Sequence, residues 1–150
     1  MSSTKQRNVS IASIIVVLAA LAATIFLVSY QQLVVDTIRA MQYRPSSSEV
    51  SIRDSLDLTP LGDFYFNASQ PILEAAKPFN KHCPQSEPNN PVVGCYSNQQ
   101  IFIFDVQNNK LNGIRQTTAA HELLHAAYEL LGDDERARID VELLAVYALV

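Results

Sequence analysis

Apolar and polar positions follow three different rhythms along the chain. Residues 9–30, VSIASIIVVLAALAATIFLVSY, are mostly apolar, and no charged side chain occurs from Val9 to Val35. A bilayer core takes roughly 20 such residues as helix, so this run is long enough to span. It outlasts the roughly 7–15-residue apolar core of a secretory signal and continues past the small residues of LAALAAT. It therefore reads as an uncleaved anchor, with a cleaved signal as the competing reading. In residues 31–45, QQLVVDTIRAMQYRP, the apolar residues Leu33, Val34, Ile38 and Met41 recur at helical spacing, and Pro45 ends the run. SSSEVS then reads as a flexible linker, closing a juxtamembrane stretch over 31–58.

Residues 59–150 carry the third rhythm, mixed strand and helix. Pro71 opens a predicted short helix, PILEAAKPF, which Pro78 stops. CYSNQQIFIFDV is rich in aromatic and β-branched residues and predicts a strand. QNNKLNGI is a turn region. Thr117 or Thr118 is the predicted cap of a helix running through Leu131, with Gly132 at its C-terminal end. Asp133 or Asp134 caps a further helix that is still apolar at Val150. No stop signal follows it, so either that helix docks at the end of the domain or the domain continues past the sequence given.

Charge and cysteines place this domain. The net charge is −4 and the basic residues are scattered, which excludes the basic stripe of a nucleic-acid binder. Lys5 and Arg7 precede the apolar run with no acidic residue among them, favouring a cytoplasmic tail over residues 1–8. The two cysteines, Cys83 and Cys95, bound a stretch rich in proline and asparagine. A disulfide is the expected pairing, with two free thiols or single metal ligands as alternatives. The expectation is a single-pass protein of the cell membrane, held in the lipid bilayer by its N-terminal helix, with the C-terminal domain extracytoplasmic.

The chemistry concentrates in TTAAHELLHAAYELLG, which holds two of the three histidines. Helix residues four apart project about 40° from one another, with Cβ atoms about 5–6 Å apart. His121 and His125 can thus reach one tetrahedral Zn2+ at about 2.0–2.1 Å. Glu122 sits about 100° round from His121, beside the metal rather than on it. That is the place of a general base, which takes a proton from a zinc-activated water attacking a carbonyl and passes it to the leaving amine. The plainer reading is an amphipathic helix on which two histidines share a face.

HELLH resembles the signature of the zincin metallopeptidases, and TTAAHELLHAAYELL…ERARID behind an anchor is similar to small membrane-anchored zincin-like proteins of bacteria. The resemblance implies an α+β fold: an N-terminal transmembrane helix, then a zincin-like domain with a short sheet and an active-site helix. It also implies a zinc-dependent hydrolase of peptide bonds acting on a peptide or protein substrate, whose extended chain lies along an edge strand just upstream of the helix, here QQIFIFDV. The metzincin branch is excluded, because Tyr128 and Leu131 stand where that pattern needs glycine and histidine.

The third ligand is open. Glu129 lies about 12 Å along the helix from His121, too far to share an ion. Glu142 on the next helix has the chemistry of the thermolysin-like branch; Glu135 and Asp140 are nearer, on different faces, and a residue beyond Val150 is the other source. His82 precedes the motif and reads as a surface loop histidine. Tyr128 and Tyr147 read first as packing residues and second as oxyanion donors. Asn67-Ala68-Ser69 reads as a chance match to a glycosylation acceptor. The alternative function is a non-catalytic cell-envelope module with a structural or degenerate zinc site.

Overall fold

The computed structural model describes residues 2–84 and 91–149; the middle of the cysteine-bounded stretch, residues 85–90, lies outside them. The chain divides into two compact units between Thr37 and Ile38. Helix α1, Ser2–Gln42, supplies the first unit and the opening residues of the second. Within it Ile11–Val28 has a mean hydropathy of 2.9 and no buried residue, and it is long and apolar enough to cross a membrane.

The second unit is mixed α+β and mostly helical. In chain order come α2 (Ser47–Ser55), α3 (Pro60–Ala68), β1 (Ile72–Glu74), α4 (Ala76–His82), β2 (Gly94–Ser97), β3 (Gln100–Phe104), α5 (Ile114–Glu129) and α6 (Asp133–Tyr147). The three strands form one sheet in the order β1-β3-β2, with β1 parallel and β2 antiparallel to β3. Side chains of β3 alternate between two cores, as a period of two requires. Ile101 and Ile103 turn to one face and pack with Ile52 of α2, Phe66 of α3, and Ala119 and Leu123 of α5. Phe102 and Phe104 turn to the other and meet Phe79 of α4 and the Cys83–Cys95 pair. Full burial of each such Phe or Ile is worth about 1.5–3 kcal/mol, so β3 anchors both layers.

Several sequence expectations are corrected here. SSSEVS is not a linker but the start of α2, because Ser46 and Glu49 form a reciprocal capping box. PILEAAKPF is not one helix: Ile72–Glu74 is a strand, and Pro78 lies inside the first turn of α4, where a missing N–H costs nothing. CYSNQQIFIFDV is a hairpin rather than one strand. Its two-residue turn, Asn98-Gln99, places both residues at positive φ (51° and 61°), the conformation a tight hairpin turn demands. Helix α5 begins at Ile114, earlier than a Thr117 or Thr118 cap allows, since Gly113 at φ 86° turns the chain into it. It ends at Glu129, and Gly132, at φ −66°, serves as N-cap of α6 instead of Asp133 or Asp134.

The cysteine expectation holds: Cys83 and Cys95 are at disulfide distance, with Cα atoms 5.8 Å apart. They join the end of α4 to strand β2.

Candidate metal centre

Helix α5 lies on the sheet with Thr118, Ala119, Glu122, Leu123 and Ala126 buried, one contiguous helical face. His121 and His125 fall on the adjoining face and are exposed. Their rings meet edge to face, and their Nε2 atoms are 3.2 Å apart. That is hydrogen-bond distance, and it is also close to the about 3.3 Å that separates two nitrogens bound at about 2.0–2.1 Å to one tetrahedral ion. Among the described residues no group of three or more His, Cys, Asp or Glu is close enough to hold a metal.

Glu122 lies next to this pair, buried between α5 and the sheet, and lines the same cleft. Its side chain reaches toward β2, where the Tyr96 N–H donates to the carboxylate, and the residue is 6 % exposed. Burial pushes the carboxyl above its ordinary range, while the neighbouring His121 and His125 and the Tyr96 N–H pull it back. A carboxylate held so is fixed in direction. Gly94 makes the approach possible: a Cβ there would lie 2.9 Å from Glu122 Oε1 and would overlap the Thr118 methyl.

Strand β2 borders the site as an edge strand. Phe104 N–H donates to Val93 carbonyl at 2.9 Å, and antiparallel pairing alternates. In the observed register Cys95 and Ser97 therefore bond to β3, while the backbone groups of Gly94 and Tyr96 turn to the outer edge. Gly94, Tyr96, His121, Glu122, His125 and Tyr128 wall a cleft of about 590 Å³. The edge strand expected from QQIFIFDV is misplaced by this result: Gln100–Phe104 is the central strand, and GCYS is the edge. The hairpin turn is the cause, and Asn98-Gln99 is a weaker turn signal than Asn-Gly.

The other candidates disperse. Glu142 is exposed and lines neither cavity beside the histidines. Glu129 is exposed at the rim of the cleft. Glu135 lies in the first turn of α6, and Asp140 accepts a hydrogen bond from the Tyr128 hydroxyl at 2.6 Å. His82 is not in a loop; it ends α4, stacks on Phe102 at 4.3 Å, and its Nδ1 lies 2.9 Å from Glu74 Oε2. That puts it on the face of the sheet away from α5. Tyr147 is 82 % exposed, so it is not a packing residue. Asn67 sits within α3 and spends its amide on the Asp63 carbonyl and carboxylate, as befits a chance tripeptide.

Compared with protein-family models, curated proteins and solved structures, the chain matches none of them.

Proposed function

We propose that this protein is a membrane-anchored, zinc-dependent metallopeptidase of zincin type, held by α1 with its C-terminal unit outside the cytoplasm. The observation that carries the reading is one arrangement. Two imidazole nitrogens lie 3.2 Å apart at the mouth of a cleft whose inner wall is a buried glutamate. His121 and His125 hold Zn2+, which when bound polarises a substrate carbonyl and lowers the pKa of water. Glu122, aimed by the Tyr96 N–H, takes the proton from the attacking water and hands it to the leaving amine.

The test is metal analysis and peptide hydrolysis with the full chain in detergent. The parent and Glu122→Gln should each hold one zinc per chain, and His125→Ala should lose it. Hydrolysis should fall about 100- to 10,000-fold in Glu122→Gln. Hydrolysis that survives that change removes the general base. A non-catalytic structural site would instead show four protein ligands and no solvent-open position.

A further inference from the structure

Helix α6 changes character along its axis. Its charged side chains lie between Asp133 and Glu142, and none occurs from Leu143 to Val150. No described residue of the helix is buried. Val141, Leu143, Leu144, Val146 and Tyr147 are each 59–82 % exposed and are spread round most of the axis. Leu124 of α5, 69 % exposed, adjoins them, sharing with Leu143 the wall of an apolar cavity of about 520 Å³. A helix end that is apolar nearly all round is ordinarily buried. Soluble monomers rarely leave bare an apolar patch larger than about 300–600 Å².

We propose that the C-terminal half of α6, with Leu124 beside it, beds its apolar end in the lipid bilayer that α1 spans. The proposal rests on the membrane anchor in the reading above and not on zinc. The chain itself brings lipid near. Val28 closes the apolar window of α1 and Ile38 opens the second unit, and the two stand about 15 Å apart along one helix. So short a tether holds lipid at high effective concentration around the second unit.

The polarity of α6 fits the same occupant. Asp133, Asp134 and Glu135 of its first turn remain in water while the uncharged end enters. Tyr147 suits the headgroup boundary, where amphipathic rings collect. No Lys or Arg follows Arg138, so the attraction is hydrophobic rather than one for anionic headgroups. A second copy of the chain fits less well. A stable protein interface takes about 20–30 residues a side, whereas this surface rests on a few large apolar side chains.

The chain has no tryptophan, so one introduced residue reports alone. Full-length Tyr147→Trp is reconstituted in phosphatidylcholine vesicles with and without acyl-brominated lipid, a contact quencher. Its emission should shift to the blue and lose about half its intensity to the bromines, as for a side chain at the headgroup–acyl boundary. High salt should leave that quenching unchanged. Adding Leu143→Glu and Leu144→Glu should abolish it. Phe26→Trp in the span should be quenched at least as strongly, and Leu61→Trp, exposed on α3, should not be. Unquenched Tyr147→Trp beside quenched Phe26→Trp overturns the proposal and leaves the anchor standing. Unquenched Phe26→Trp overturns the anchor itself. A blue shift without quenching that fades as the chains are diluted in lipid gives the surface to a second copy and overturns the lipid assignment. Should Tyr147→Trp fail to fold, Leu149→Trp reports on the same segment, and its unquenched emission overturns the proposal equally.

Discussion

Gly94 of β2 and Glu122 of α5 approach so closely that a methyl group on the glycine would stand 2.9 Å from the carboxylate oxygen. The glycine is needed for space and not for an unusual backbone angle. Gly94→Ala should therefore destabilise the protein by about 1–3 kcal/mol, the usual cost of overpacking. It should also displace Glu122 from the Tyr96 N–H. Urea unfolding measures the first effect; an unchanged midpoint would show that β2 and α5 are less tightly apposed than described.

Zinc should stabilise the protein. At a free concentration of 100 times the dissociation constant, a ligand of the native state adds about 2.7 kcal/mol. Thermal unfolding of the full chain should thus shift upward on zinc addition and return on chelation. The shift should vanish in His121→Ala and His125→Ala and persist in His82→Ala, because His82 lies on the opposite face of the sheet. A shift that survives both site variants would place the ion elsewhere.

Glu49 joins two elements through one carboxylate. Its oxygens accept from the Ser46 N–H at 2.6 Å and from the Leu73 N–H at 3.0 Å, tying the start of α2 to β1. The residue is 8 % exposed, so its removal leaves buried donors without partners. Glu49→Ala should cost about 2–4 kcal/mol, since bonds to a charged group are worth roughly 1.5–3 kcal/mol each and the losses overlap. Glu49→Gln, which keeps acceptor capacity, should cost less. Equal losses in the two variants would make packing, not hydrogen bonding, the role of this side chain.

Arg39 and Tyr43 are tied by hydrogen bonds to the rest of the second unit. Arg39 donates to the Ala68 carbonyl at 2.9 Å and to the Gln99 carbonyl at 2.6 Å, and the Tyr43 hydroxyl donates to the Pro71 carbonyl at 2.7 Å. Burial, with Glu49 nearby, pushes the Tyr43 phenol well above its ordinary value of 10.0. The folded state thus binds this proton more tightly than the unfolded chain. The corresponding stability is fully present below pH 10 and is lost as pH rises beyond it. Tyr43→Phe should cost about 1 kcal/mol at neutral pH. Its stability should then decline less steeply than the parent's between pH 9 and 11 in urea titrations, roughly the span around the ordinary tyrosine value. Parallel curves would remove Tyr43 from the alkaline transition.

Elements with strong periodicity were legible before the fold was known. The uninterrupted apolar run gave α1, and the stripe of His121 and His125 with Glu122 offset gave the face relations on α5. The elements that escaped are those whose signals are short or ambiguous. The Ser46-to-Glu49 capping box is present in SSSEVS, yet three serines mimic a linker. Strand β1 has three residues and no alternation to count. The β2–β3 turn lacks glycine, so the polar Ser97-Asn98-Gln99-Gln100 stretch gives little sign of its positive-φ pair. Most of the cleft was invisible for the same reason: its inner edge depends on which strand is central, and that follows from the hairpin.

The Cys83–Cys95 link turns the assembly of the cleft into a matter of where the chain matures. Cys95 sits between Gly94 and Tyr96, the two residues that seat Glu122, in an edge strand of four residues. With the bond closed, that strand is fastened to α4 as well as to β3. Material produced in a thiol-rich cytoplasm would keep only the attachment to β3. Oxidised and reduced preparations of one sequence would then differ in how firmly that wall of the cleft is held.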